Sequence, residues 1–258
     1  GSEMCIRDRC TQENVPYYIV GNGSNLLVSD QGYEGVIIQI YKQMNQVEIT
    51  ENEIHAQAGA LLSMIANRAM EAELTGFEFA AGIPGTLGGA CVMNAGAYGG
   101  EMKDVLETVN VLTRDGDVKT LTKDELELGY RTSVIAKKDY IVLSAVIRLE
   151  NGKKEEIKAV MDDLKEKRIT KQPLEYPSAG STFKRPEGYF AGKLIQDAGL
   201  RGFQVGGAQV SEKHCGFVVN KDQATAADVM NLMNQVSDKV YEMSGVRLEP
   251  EVKRLGVF

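Results

Sequence analysis

Two stretches of this chain are so rich in glycine and so poor in charge that backbone, more than side chain, would do their chemistry. The first is Gly21-Asn22-Gly23-Ser24-Asn25-Leu26, directly after the apolar run Tyr17 to Val20. The second is Gly82-Ile83-Pro84-Gly85-Thr86-Leu87-Gly88-Gly89-Ala90, continuing into Asn94-Ala95-Gly96-Ala97-Tyr98-Gly99-Gly100. Glycine lets a backbone come close to a ligand, and successive N–H groups can cradle phosphate oxygens. Neither stretch is a familiar nucleotide fingerprint. The dinucleotide motif needs a glycine where Leu26 stands and a helix after it, and no Gly-Lys-Ser/Thr occurs. The first stretch alone reads equally well as a tight turn. The second, with Thr86 and Asn94 interleaved, reads as backbone wrapped around a ligand whose charge is met by N–H dipoles, since neither stretch contains a lysine.

Reactive side chains are sparse elsewhere. Ser181 lies in Ala179-Gly180-Ser181-Thr182-Phe183-Lys184-Arg185-Pro186. Its Ser-x-x-Lys spacing fits an acyl-enzyme nucleophile, but that chemistry also needs Ser-Asp-Asn and Lys-Thr-Gly, and neither occurs. Glu249 and Glu251 flank Pro250, and the residues alone do not choose between them. Arg131, in Gly129-Tyr130-Arg131-Thr132-Ser133, carries a guanidinium fork suited to a carboxylate. Arg168, Lys171, Lys184 and Arg185 bracket Ser181 and form a local supply of cations; Arg168 and Lys171 would equally complement the end of a helix near 169. Four cysteines without a C-x-x-C pair and two distant histidines predict a reduced chain with no metal site. A net charge of −7 argues against an electrostatic hold on nucleic acid or an anionic membrane. No run approaches the 18 or so apolar residues of a membrane span.

The elements that must position these residues follow from periodicity. Tyr17 to Val20, Val36 to Ile40, Val109 to Thr113 and Tyr140 to Leu149 read as strands. His214 and Cys215 fall on a further expected strand, with side chains on opposite faces. Leu61 to Leu74 reads as a helix closed by Gly76, and 155–169 as an amphipathic core helix with Ile157, Val160, Met161 and Leu164 on one face. Thr225 to Ser244 reads as another core helix, with Thr225 and Asp228 as a capping box and Gly245 at its end. Residues 21–35 and 82–100 read as loops. Strands and helices do not alternate regularly, which predicts an α+β fold. The turn at Asn151-Gly152 predicts a division into domains 1–150 and 151–258. Residues 1–9 look foreign to the rest of the chain.

Five segments in order carry a resemblance: Y-Y-I-V-G-N-G-S-N-L-L-V-S-D, A-A-G-I-P-G-T-L-G-G-A-C-V-M-N-A-G-A-Y-G-G-E, G-Y-R-T-S, A-G-S-T-F-K-R-P and L-E-P-E-V. Together they resemble the UDP-N-acetylenolpyruvoylglucosamine reductases. The short stretch between Gly96 and Tyr130, with no inserted tyrosine loop later, resembles the type II branch. The resemblance implies an FAD-binding domain of the vanillyl-alcohol-oxidase type, built from two subdomains, and a C-terminal α+β substrate-binding domain. It also implies a segment before the first motif, so that an N-terminally truncated chain, with an incomplete first FAD subdomain and weak FAD retention, is expected.

The implied activity is reduction of UDP-N-acetylglucosamine enolpyruvate to UDP-N-acetylmuramate for peptidoglycan synthesis, with FAD as cofactor and NADPH as co-substrate, in a cytoplasmic monomer. A catalytically impaired nucleotide-binding remnant is the alternative. By position, Gly21, Asn22, Gly23, Ser24, Asn25 and Leu26 would hold the FAD pyrophosphate. Gly82, Ile83, Pro84, Gly85, Thr86, Gly88, Gly89, Ala90, Asn94, Ala95 and Gly96 would line the rest of the flavin site. Arg131, Ser181 and Glu251 would be catalytic, as cation, proton donor and polarising carboxylate. Tyr130, Arg168, Lys171, Lys184 and Gln204 would bind substrate.

Overall fold

The computed structural model describes residues 2–258, with side chains described from residue 6. The chain forms two compact units: residues up to 23 with 35–167, and residues 24–34 with 168–258.

The first unit is organised on a five-stranded antiparallel sheet in the order Val118–Thr122, Leu106–Leu112, Ile141–Arg148, Glu53–Gln57, Val47–Thr50. Alternate residues face its core: Val109 and Val111, Ile54 and Ala56, Ala145 and Ile147 are buried. A register shift between Val142 and Ser144 lets Val142 join that face as well. Helix Leu62–Glu71 buries Leu62, Ile65, Ala66 and Ala69 in the same core. It stops earlier than its apolar spacing predicts, because Leu74–Thr75 is taken into a short pairing with Glu150–Asn151. Tyr17–Val20 pairs in parallel with Val36–Gln39.

The stretch 82–100, expected to be loop, contains helix Leu87–Met93 and a two-residue hairpin, Gly96–Ala97 with Gly100–Glu101. Glycine disfavours a helix by about 1 kcal/mol relative to alanine, so tertiary contacts must supply what propensity lacks. The N–H groups of Leu87 and Gly88 donate to Ala60 O and Ala58 O, both at 2.8 Å. A Cβ at Gly88 would lie 3.0 Å from Ala58 Cβ, so a glycine allows the helix to seat directly on its neighbour.

Helix Lys154–Lys171 forms where expected, but its apolar face is largely open. Ile157 is buried, Met161 is partly buried against the first unit's core, and Val160 is 47% exposed. These two anchors keep most of the helix with the first unit, so the compact units part at 167 and not at the turn near 151. Residues 1–9 include part of helix Ser2–Gln12; Arg7 in it is buried and donates from Nη1 to Thr113 O at 2.8 Å.

The second unit contains a four-stranded antiparallel sheet in the order Ser178–Ser181, Phe217–Asn220, Ala208–Val210, Gln204–Val205. Helix Ala226–Ser244 buries Leu232, Met233, Val236 and Val240 in this unit's core, as its periodicity predicts. The expected loop 21–35 contributes strand Leu26–Val28, which pairs in parallel with Lys253–Leu255. This pairing draws residues 24–34 into the second unit. His214 and Cys215 precede strand Phe217–Asn220 in a turn, where His214 Nδ1 accepts from Gly216 N–H at 3.0 Å.

The capping box of the long helix is present. Thr225 Oγ1 accepts from Asp228 N–H and the Asp228 carboxylate accepts from Thr225 N–H, each at 3.0 Å. Asp30 adds a second anionic cap, accepting from Ala226 and Ala227 N–H at 2.7 and 3.1 Å. Backbone donors hold the Asp228 carboxyl below its usual range, led by Thr225 and Gly207. Replacing a threonine cap costs about 1 kcal/mol, and Thr225→Ala is expected to lower the melting temperature by about 2–4 °C. An unchanged melting curve by circular dichroism would show that Asp30 caps the helix alone.

Candidate active site

In the first unit the two glycine segments meet. Asn22 Nδ2 donates to Pro84 O at 3.0 Å, and Gln39 Nε2 donates to Gly21 O at 3.2 Å. A Cβ at Gly21 would collide with Thr86 Oγ1. Gly23 has a φ of +68°, in the region that favours glycine. Gly21 therefore lies against Thr86 as bare backbone. Neither 21–23 nor 82–90 contains an acidic side chain, so no carboxylate within these segments opposes an anion held on their N–H groups. The backbone of Gly21 to Gly23 fits a pyrophosphate, whereas in 82–90 the N–H groups of Ile83, Gly85, Leu87, Gly88 and Ala90 are spent on backbone carbonyls. Ser24, Asn25 and Leu26, expected in the same loop, belong to the second unit, where Asn25 Nδ2 donates to Glu251 O at 3.3 Å.

Asn94 behaves differently from its expected role as a cofactor ligand. It is 1% exposed, ends helix Leu87–Met93 at φ +47°, and spends its amide within the fold. Nδ2 donates to Glu101 Oε2 at 2.6 Å and to Gly129 O at 3.1 Å, while Oδ1 accepts from Lys103 N–H at 2.8 Å. Ala95 and Gly96 are likewise committed: Ala95 N–H donates to Ala90 O at 2.9 Å, and Gly96 pairs with Glu101. Gly129 opens a tight turn closed by reciprocal bonds with Thr132, and Tyr130 and Arg131 stand at its tip. The Arg131 guanidinium carbon lies 5.3 Å from the Tyr130 ring centroid. Ser133 is fully buried; its hydroxyl donates to Val92 O at 2.6 Å and accepts from Ala136 N–H at 3.2 Å. Sequence reasoning passed over Ser133, whose one signal was a serine before a short helical run.

In the second unit the serine and glutamate motifs are joined. Glu251 N–H donates to Thr182 O and Lys184 N–H to Glu249 O, both at 2.8 Å, around an antiparallel bridge of Phe183 with Pro250. Thr182 is buried and its Oγ1 accepts from Val218 N–H at 2.8 Å. Ser181 is exposed, following Gly180 at φ +78°. Lys184 Nζ and Glu249 Oε2 form an ion pair at 3.1 Å. That pairing occupies Glu249, the carboxylate that the sequence could not separate from Glu251. The Arg185 guanidinium lies 3.9 Å from the Phe190 ring centroid. Arg168 and Lys171 sit in the last turn of helix Lys154–Lys171, where they complement its dipole. Gln204 is not brought to Ser181. It lies at the opposite edge of the four-stranded sheet, three strand spacings or about 14 Å away, and bonds within its own hairpin to Gly206 O at 2.9 Å and Gln209 at 3.3 Å.

Comparison with known proteins fits this geometry at two levels. Residues 6–122 match the model of an FAD binding domain, which places the chain among flavin-binding proteins. Residues 172–255 match the model described as UDP-N-acetylenolpyruvoylglucosamine reductase, C-terminal domain. The chain is 59% identical to the UDP-N-acetylenolpyruvoylglucosamine reductase of Agathobacter rectalis, with 95% of this chain and 82% of that one covered. It is 55% identical to the reductase of the same name from Clostridioides difficile, covering 95% and 81%. The crystal structure of UDP-N-acetylenolpyruvylglucosamine reductase from Thermus caldophilus matches with a TM-score of 0.83 at 36% identity, over 96% of this chain and 89% of that one. The chain belongs to the UDP-N-acetylenolpyruvoylglucosamine reductase family. Among the described residues no helix is long and apolar enough to cross a membrane.

Two measurements test this geometry. Gly21→Ala forces Cβ against Thr86, an overpacking that costs about 1–3 kcal/mol, and should lower both stability and flavin content. Adding Thr86→Ala removes the colliding oxygen and leaves the residue-86 Cβ at 3.4 Å, an ordinary contact. The double variant should therefore recover both properties; failure to recover would place the defect elsewhere. Cys91, inside the second glycine segment, is fully buried, and burial pushes its thiol up to about 12. Its thiolate is scarce at neutral pH, so a disulfide reagent should label it only after unfolding. Labelling at the unfolded rate in the native protein would contradict this burial.

Proposed function

We propose that this chain reduces UDP-N-acetylglucosamine enolpyruvate to UDP-N-acetylmuramate with NADPH, a step in peptidoglycan precursor synthesis, and that Arg131, Ser181 and Glu251 carry the reaction. The segments around Gly21 to Gly23 and Gly82 to Ala90 would hold FAD, which when bound would supply hydride-transfer chemistry between NADPH and substrate. The observation that supports pairing Ser181 with Glu251 is the bridge joining the serine and glutamate motifs, with Glu251 N–H on Thr182 O at 2.8 Å.

Saturating the enolpyruvyl double bond adds hydride to its terminal carbon and a proton to the carbon beside the carboxylate. Negative charge develops at that second carbon, so the chain must both stabilise it and protonate it. The Arg131 guanidinium offers a fixed cation and a bidentate fork for the substrate carboxylate. The Ser181 hydroxyl is a weak acid, but a carbanion-like centre is a strong base, and transfer to it from a donor held close is downhill. Glu251 positions or polarises the reacting end of the substrate. Lys184 and Arg185, one and two residues beyond Phe183, supply positive charge for the diphosphate, with Arg168 and Lys171 as further candidates. We assign a monomer, and the cytoplasm, where NADPH is available, as its compartment.

The purified protein should be yellow, bleach on adding NADPH, and recover its colour when substrate follows, as a ping-pong sequence requires. In Ser181→Ala, bleaching should persist while product formation falls by about 10²–10⁴-fold, the usual contribution of a positioned proton donor. Unchanged turnover would remove Ser181 from the reaction. A colourless protein that still binds UDP-sugars would favour a nucleotide-binding remnant.

A further inference from the structure

We propose that Asn94 and Ser133 are positioning residues for Arg131, fixing where its guanidinium meets the substrate carboxylate; the proposal rests on the catalytic role assigned to Arg131. The turn from Gly129 to Thr132 is four residues long, and Arg131 in it has a φ of +55°. A non-glycine residue in that region is strained and persists only where its surroundings over-determine it. Here both flanks are fixed by buried polar side chains that reach one short helix end. On the N-terminal side, Asn94 Nδ2 donates to Gly129 O at 3.1 Å. On the C-terminal side, Ser133 Oγ donates to Val92 O at 2.6 Å.

The Asn94 amide cannot turn over without loss. Its Nδ2 faces two acceptors, Gly129 O and Glu101 Oε2, and its Oδ1 faces one donor, Lys103 N–H. Flipping the group would oppose acceptor to acceptor and donor to donor. Asparagine also tolerates the φ of +47° at this helix end better than most residues. Val92 and Asn94 are both in the last turn of the glycine-seated helix. Two hydrogen bonds therefore tie the Arg131 turn in register with the same helix whose first residues meet the Gly21 loop through Thr86. The cation's place is set by this bracket, and the Tyr130 ring beneath it is part of the same turn.

A double-variant cycle on the flavin-loaded enzyme separates positioning from general support. Ser133→Gly removes the hydroxyl while glycine remains acceptable at a helix cap, and Asn94→Gly keeps the backbone conformation without the amide. Measured well below each variant's melting temperature, either is expected to lower kcat/KM for the enolpyruvyl substrate about 10–100-fold, as misplacement by about 1 Å can. In an Arg131→Ala background the same changes should cost less than about threefold, because the group they position is gone. If the full loss persists without Arg131, both residues act only as fold supports and the proposal is overturned. If Arg131→Ala alone leaves kcat/KM unchanged, the reading of Arg131 fails, and this proposal falls with it by a different and recognisable result.

Discussion

Gly88 lies on Ala58 with only the Ala58 methyl group between them, and helix Leu87–Met93 takes its seat from that contact. The Gly88 N–H reaches Ala58 O at 2.8 Å, and a Cβ on Gly88 would lie 3.0 Å from the Ala58 methyl group, tight enough to push the two apart. Because helix Leu87–Met93 is held this way, Thr86 at its start can lie on bare Gly21, while Val92 and Asn94 at its end can take the bonds of Ser133 and to Gly129. One short helix thus relates a loop suited to phosphate and a turn that carries a guanidinium. Its sequence would not form a helix on propensity alone; the tertiary seat makes it one.

The second unit solves its positioning problem with strands. Thr182 is fixed three ways: by its N–H to Gly216 O, by its hydroxyl accepting from Val218, and by its carbonyl accepting from Glu251. Ser181 precedes this anchored residue, and Gly180 before it breaks the regular pairing, since the register shifts between Ser178 and Ser181. An exposed hydroxyl beside a rigid anchor is pre-organised at little entropic cost. The Lys184–Glu249 ion pair is largely exposed and contributes little to stability. Its effect is to occupy one of two neighbouring carboxylates.

What the sequence made legible depended on range. Helix Ala226–Ser244 was readable to its caps, because period, capping box and terminal Gly245 are all local signals. The long strands were readable from β-branched runs. Helix Leu87–Met93 was not, because its cause is a contact with Ala58, nearly thirty residues earlier. Strand Leu26–Val28 was also missed: three residues within a polar stretch carry no period, and their partner is Lys253–Leu255. Helix Lys154–Lys171 shows the converse, an apolar face plain in the sequence of which only Ile157 is fully buried. In the candidate site, the motifs pointed to segments, but which side chains are already engaged needed the bonds. Asn94 reads as a ligand group among glycines, yet its amide is consumed by Glu101, Lys103 and Gly129.

The pairing of Leu26–Val28 with Lys253–Leu255 has a temporal side. Ser29 Oγ donates to Val257 O at 2.5 Å across 228 positions of sequence. A ribosome emits residues 24–34 well before residues 253–257, at roughly 5–20 residues per second, so this early strand waits on the order of ten seconds or more for its partner. The first unit can assemble its five-stranded sheet meanwhile, since all of those strands precede residue 149. Closure of so distant a contact is the slow, entropically costly kind. The second unit therefore completes this pairing only after residues 253–255 have been made, and until then strand Leu26–Val28 lacks its partner.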